Sequence, residues 1–268
     1  MQDLDGRKAI ISGSATGLGR SMAVQLAQFG ADVIVNYARS AAEAEEAADL
    51  CRKAGAVVKV VQADVSDADG CKALADAAAD WGQLDILINN AGITRRAPKH
   101  ADLGALSKDD FMDIYAVNVA GAFLMVQACE PLLRAAYAAS GRASSVLNTS
   151  SIAGVTGIGS SVAYAASKGA LNTMTLSLAR ALAPAIRVNA ICPGYIDTRW
   201  FSDHMEEEKY LAMRASVEKA TPLQAASGPD DIADAALFFV TDAARHVTGE
   251  TLLADAGTHL GFAGLTAR

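Results

Sequence analysis

The chain has 268 residues, 51% hydrophobic and 20% charged, with a formal charge of −7. This composition excludes a disordered or collagen-like chain. The acidic balance argues against nucleic-acid or anionic-membrane partners, which need a basic face.

The predicted elements alternate along the chain. Lys8–Ser12 reads as a strand and Leu18–Phe29 as a helix. Asp32–Asn36 is a strand, followed by a helix from Ser40 to Ala54 with Ser40 and Glu43 as a capping box. Val57–Val61 and Leu84–Ile88 are strands on either side of a helix over Ala68–Asp80. A long helix starts at Ser107, with Asp110 three residues on, and runs to about Arg134. Ser145–Asn148 is a strand, Val162–Leu182 a helix stopped by Pro184, and Ile186–Ile191 a strand. A late helix over Pro229–Thr241 and a strand over Thr251–Ala254 complete the pattern. The strands are continuous apolar runs, so both faces are buried, as in a parallel sheet covered by helices. The fold class is therefore α/β, a doubly wound parallel sheet in one domain, 1–268, with ligands beyond the carboxyl ends of the strands.

Directly after the first strand comes Ser12-Gly13-Ser14-Ala15-Thr16-Gly17-Leu18-Gly19. Glycines here allow a tight turn and let backbone N–H groups approach a pyrophosphate at a helix N-terminus. A lone glycine pattern is weak, but the strand-loop-helix context supports a dinucleotide site. The spacing G-x-x-x-G-x-G resembles the classical short-chain dehydrogenase/reductase family, including its members of the 3-oxoacyl-carrier-protein reductase type. Further motifs follow in that family's order: Asp64-Val65, Asn89-Asn90-Ala91-Gly92, Asn118, Ser151, Tyr164 with Lys168, and Pro193-Gly194-Tyr195-Ile196-Asp197-Thr198.

Tyr164 and Lys168 stand at i and i+4, one face of a helix. A phenol with a reference pKa near ~10 is a poor proton carrier at neutral pH, and a nearby ammonium lowers that value. The spacing is common by accident; the glycine loop and the upstream serine give it weight. The resemblance implies an NAD(P)-dependent oxidoreductase that interconverts a carbonyl and a secondary alcohol. Tyr164 would be the acid/base and Ser151, thirteen residues earlier, the hydroxyl on the substrate oxygen. Lys168 would lower the tyrosine pKa and hold the ribose, and Asn118 would organise a water relay. Ser150 reads as a strand-end cap and Cys192 as packing, with nothing basic beside it in sequence. The resemblance places Asp64 and Val65 by the adenine, Asn90, Ala91 and Gly92 along the cofactor cleft, and Ile196 and Thr198 at the nicotinamide carboxamide. A non-catalytic dinucleotide-binding regulator is the alternative, but such relatives usually lose the tyrosine or the lysine.

The second strand's end, Val35-Asn36-Tyr37-Ala38-Arg39-Ser40, has no Asp or Glu to bind a ribose 2′-OH. Arg39 can pair with a 2′-phosphate, with Asn36 and Ser40 as neutral donors, so NADP(H) is expected over NAD(H). The loop Thr94–Leu106 is longer than usual in the family and carries Arg95, Arg96 and Lys99; it reads as a solvated loop or an anion contact. Residues 195–225, with Trp200, Phe201, His204 and Met205, read as a substrate lid. The resemblance also implies a homotetramer through the helices Ser107–Arg134 and Val162–Leu182, where Ala120, Gly121, Ala122, Ala165 and Ala166 permit close approach. Cys51, Cys71, Cys129 and Cys192 form no C-x-x-C pair, and the four histidines show no ligand spacing, so neither disulfide nor metal is expected. No apolar run reaches the roughly 18 residues of a membrane span. The opening MQDLDGRKAIISGS lacks a basic signal-peptide start, so a cytoplasmic protein is expected.

Overall fold

In the computed structural model the described residues are 4–97, 99, 101–199 and 205–261. Seven strands form one parallel sheet: β1 (Lys8–Ile11), β2 (Asp32–Tyr37), β3 (Val58–Gln62), β4 (Ile86–Asn89), β5 (Ser144–Thr149), β6 (Ile186–Pro193) and β7 (Thr251–Ala254). Their order is β3-β2-β1-β4-β5-β6-β7. The order reverses between β1 and β4, where Ala9 pairs with Ile86 and Ile11 with Ile88. A doubly wound sheet binds its ligand at that reversal.

The helices are α1 (Gly17–Gln28), α2 (Ala41–Lys53), α3 (Ala68–Ala78), α4 (Lys108–Tyr115), α5 (Ala122–Ser140), α6 (Ala153–Thr156), α7 (Val162–Leu182), α8 (Glu207–Ala220) and α9 (Pro229–Val240). Successive strand residues point to opposite faces, which explains the continuous apolar runs. Ile11, Val33, Val35, Ile88 and Leu147 enter one core with Met22, Leu26 and Phe239. Ile10, Ile34, Leu87, Val146 and Val188 enter the other with Leu74, Met125, Leu133 and Leu178.

Four local expectations are corrected. No side-chain bond from Ser40 caps α2; Glu43 is drawn instead to Arg199, 3.1 Å away. The capping box at Ser107 and Asp110 does form, but the helix it starts is not uniform. Ala116–Gly121 widens into a π-helical stretch between α4 and α5, an irregularity frequent at functional sites. Among the small residues placed at a subunit contact, Gly121, Ala122 and Ala165 are buried inside this chain; a Cβ on Gly121 would lie 2.7 Å from the Val65 carbonyl oxygen. Lys108–Ser140 is long and apolar enough to cross a membrane by length and composition, contrary to the expectation that no apolar run reaches a membrane span. Met125, Val126, Cys129 and Leu133 of this segment are buried against the sheet, whereas Met112 and Phe123 are exposed.

Candidate active site

The glycine loop is held by both neighbouring strands. Gly13 has φ +61, which favours glycine, and its N–H donates to Asn36 Oδ1 at 2.9 Å. The buried Ser14 hydroxyl donates to the Ile11 carbonyl (2.7 Å) and accepts from Asn36 N–H (2.9 Å). On the other side, Ser12 Oγ accepts from the N–H groups of Asn90 (3.0 Å) and Ala91 (3.1 Å). Asn90 Nδ2 donates to the carbonyls of Ser12 and Gly13, at 3.2 and 3.0 Å. A Cβ on Gly19 would lie 2.4 Å from the Gly13 carbonyl oxygen, so only glycine fits. Thr16 precedes α1 in an extended conformation and its side chain does not cap the helix. The first N–H groups of α1, at Gly17, Leu18 and Gly19, are thus left for an anion. This cradle, too tight for any Cβ at Gly19, fits a dinucleotide pyrophosphate.

At the adenosine end, Asn36 is not the donor that the sequence suggested. Its amide is spent inward on the carbonyls of Ala63 (3.0 Å) and Val61 (3.3 Å), so it shapes the loop rather than reaching a phosphate. Arg39 is exposed and Ser40 half-buried at the strand's end. The Ser66 hydroxyl and N–H, with the Arg39 charge, hold the Asp64 carboxyl below its usual range. Val65 is buried beside it.

At the other end, α7 brings Tyr164 and Lys168 together. Ser161 Oγ accepts from Tyr164 N–H (3.2 Å) and starts the helix. Lys168 is buried one turn on, and its ammonium donates to the Thr149 carbonyl at 2.7 Å. It stands 5.7 Å from the centre of the Tyr164 ring. Burial pushes its pKa down to about 8. The Tyr164 phenol is pushed up by burial, opposed by a hydrogen bond with Ser151. The expected lowering of Tyr164 by Lys168 is therefore not found, because desolvation outweighs an ammonium committed to the Thr149 carbonyl.

The two serines separate. Ser150 Oγ donates to the Lys168 carbonyl (3.1 Å), whereas Ser151 meets the phenol and accepts from Ala153 N–H (3.1 Å). Asn118 lies in the π stretch with its side chain fully engaged. Oδ1 accepts from Ile93 N–H (2.8 Å), and Nδ2 donates to the Ile93 carbonyl (3.0 Å) and to Ser167 Oγ (3.1 Å). Ser167 Oγ donates in turn to the Tyr164 carbonyl (2.7 Å). Asn118 thus ties the loop after β4 to the helix that carries Tyr164. A Cβ on Gly92 would lie 3.3 Å from Asn118 Oδ1, so this loop runs close under the lysine.

After β6, Gly194 N–H donates to the Ala254 carbonyl (3.1 Å) and Asp197 N–H to that of Ser227 (2.8 Å), which fixes the turn through Pro193 and Ile196. Thr198 reaches the glycine loop: a Cβ on Gly17 would be 3.5 Å from its methyl group. Arg214 of α8 pairs with Asp197 at 2.8 Å. Trp200, Phe201 and His204 of the expected lid lie outside the described residues. In the long loop, Arg95 pairs with Asp110 (3.3 Å) and Asp113 (3.7 Å), a partnership within the chain itself. Sequence reasoning missed the neighbourhood of Cys192: the Lys168 charge and the Ser150 hydroxyl both act on its buried thiol, which burial nonetheless pushes up. It also missed Ser167, whose only signal was its place within Tyr164–Lys168.

Comparisons with known proteins agree with this geometry. Residues 13–259 match the family model described as enoyl-(acyl carrier protein) reductase. The chain is 40% identical over 253 residues to a protein of Streptomyces violaceoruber provisionally named granaticin polyketide synthase ketoacyl reductase 2, covering 94% of this chain and 96% of that one. It is 34% identical over 262 residues to glucose 1-dehydrogenase 2 of Bacillus subtilis, covering 97% of each. The solved Pseudomonas aeruginosa RhlG/NADP active-site complex superposes with a TM-score of 0.86 at 29% identity, over 96% of this chain and 98% of that one. The chain belongs to the short-chain dehydrogenase/reductase family and is an NAD(P)-dependent oxidoreductase that interconverts a carbonyl and a secondary alcohol.

Proposed function

We propose that this enzyme is an NADP(H)-preferring ketone reductase with Tyr164 as its acid/base. The observation that carries the reading is the buried Lys168, whose ammonium stands 5.7 Å from the centre of the Tyr164 ring one helical turn away and donates to the Thr149 carbonyl. When bound, the nicotinamide supplies or accepts the hydride at the carbonyl carbon. Burial keeps the phenol protonated at neutral pH, so Tyr164 rests ready to give its proton to the substrate oxygen. Ser151 donates to that oxygen as charge develops on it. Lys168, largely protonated below its pKa of about 8, stabilises the phenolate left behind. Asn118 positions α7 through Ser167.

Gly13–Gly19 would hold the pyrophosphate, Asp64 and Val65 would flank the adenine, and Asn90–Gly92, Pro193, Gly194, Ile196 and Thr198 would line the nicotinamide site. Arg39 and Ser40 take the 2′-phosphate, since the stretch Val35–Ser40 holds no carboxylate to repel it. The NADP in the RhlG complex and the ketoacyl reductase relative support the cofactor and the direction. Among the described residues, 195–199 and 205–225 form the substrate lid. The chain works in the cytoplasm as a homotetramer; the exposed Met112 and Phe123 beside α4–α5 and Val162 and Leu176 on α7 support a subunit contact there. The test is the ratio of kcat/KM for NADPH and NADH, in wild type and in Arg39→Ala. NADPH preference that collapses in the variant supports the reading, and a wild type that prefers NADH refutes it. Light scattering should give about four times the 27.6 kDa chain mass.

A further inference from the structure

Tyr164 is the third residue of α7, in a first turn whose N–H groups have no partner within the helix. The segment that leads into this turn is not held by packing: Val155, Thr156, Gly157 and Ile158 are all exposed. The ring of Tyr164 nevertheless rests against it. A Cβ on Gly159 would lie 3.3 Å from Tyr164 Cδ1 and 2.8 Å from Ala153 Cβ, so the backbone at Gly159 forms one wall of the tyrosine's seat.

The long loop after β4 ties this wall down. The hydroxyl oxygens of Thr94 and Ser160 are 2.5 Å apart, and Ala97 N–H donates to the Ser160 carbonyl at 3.0 Å. Thr94 Oγ1 also lies 3.4 Å from the Arg95 carbonyl oxygen, so both hydroxyls are engaged within the chain. Thr94 follows Ile93, whose N–H and carbonyl are both bonded to Asn118. From Asn118 the bonds run through Ser167 to the Tyr164 carbonyl, and from Tyr164 N–H to Ser161, the neighbour of Ser160. The contacts close into a belt around the start of α7, and the Thr94–Ser160 pair joins its two loops. We propose that Thr94 and Ser160 are positioning residues for Tyr164: their hydroxyl pair holds Gly159 against the ring and fixes where the phenol meets the substrate. This rests on the reading of Tyr164 as acid/base and adds to it the loop that sets the tyrosine's place.

The test compares wild type, Thr94→Val, Thr94→Ser, Ser160→Ala and the double variant Thr94→Val with Ser160→Ala. Three quantities are measured: kcat for a ketone, the Kd for NADPH, and the NMR resonance of isotopically labelled Tyr164 Cζ, identified by its loss in Tyr164→Phe. Misplacement by about 1 Å costs a reaction about a hundredfold, so a loosened seat should lower kcat about tenfold in Thr94→Val and in Ser160→Ala. Both should displace the resonance and leave the Kd unchanged. The double variant should be no slower than either single one, because its second change removes a partner already lost. Thr94→Ser keeps the hydroxyl and should restore both kcat and the resonance. A kcat unchanged in both single variants, losses that add in the double variant, or an equal loss in Thr94→Ser overturns the proposal. A raised KM for the ketone at full kcat also overturns it, since Thr94 would then be a substrate contact. Ser160→Ala deletes only a hydroxyl from a half-buried loop residue, so it decides the matter should Thr94→Val fail to fold. A resonance displaced by the variants in a protein that reduces no ketone supports the belt and refutes the reductase reading. Tyrosine-dependent reduction that none of these variants alters does the reverse.

Discussion

Lys168 should destabilise the fold that it serves. It is 3% exposed, and burial pulls its pKa from 10.5 to about 8. The unfolded chain holds the proton up to about pH 10.4, while the folded chain gives it up near 8, so between these values the unfolded state binds more protons and stability rises with pH. A displacement of this size corresponds to about 3 kcal/mol lost at pH 7, shrinking to about 1 kcal/mol at pH 10. Lys168→Met removes the buried charge but leaves the Thr149 carbonyl without its donor, which returns about 1–3 kcal/mol of cost. The variant should thus be as stable as wild type at pH 7, or more stable, while losing activity. Its advantage should shrink by about 2 kcal/mol between pH 7 and pH 10. Urea unfolding of both cofactor-free proteins at the two pH values measures this, since all other titrating groups are shared. A variant less stable at pH 7 by more than about 1 kcal/mol, or a difference that does not change with pH, would refute the reasoning.

The remaining predictions concern the loop and the long helix. Gly19→Ala places a methyl group 2.4 Å from the Gly13 carbonyl oxygen. It should lower stability by about 1–3 kcal/mol and weaken NADP+ binding, measured by calorimetry, by about tenfold or more; an unchanged Kd would contradict the cradle. Ser107→Ala removes the capping box that starts α4 and should lower stability by about 1 kcal/mol, read as a fall in Tm of about 2–4 °C. Reduction should also decline above about pH 8 as Lys168 loses its proton, and a wild-type kcat profile that stays flat through that range would contradict this.

The sheet was legible because both its faces are buried, so strands such as β2 and β4 carry unbroken apolar runs, Val33–Val35 and Ile86–Ile88. The glycine loop was legible because its backbone demands survive in composition. What the sequence concealed lies in contacts between distant segments. Ser40 and Glu43 have the spacing of a capping box, but Glu43 pairs with Arg199, 156 positions away. Asn36 has the chemistry of a phosphate donor, yet burial turns its amide onto neighbouring strand carbonyls. The π stretch at Asn118 leaves no periodic signature, since its residues also suit an ordinary helix. The spacing of Tyr164 and Lys168 gave their shared face but not their desolvation, which sets the direction of both pKa shifts. Cys192 acquires its lysine neighbour only when β6 and α7 pack together.

The central claim is that Tyr164 carries the proton. The direct measurement is single-turnover reduction of a ketone by wild type and Tyr164→Phe, with NADPH affinity determined in parallel. The proposed mechanism sets the phenol on the substrate and not on the glycine cradle, so it predicts a rate lower by about a hundredfold or more with an unchanged Kd for NADPH. A variant that keeps its rate within a few fold of wild type would contradict it.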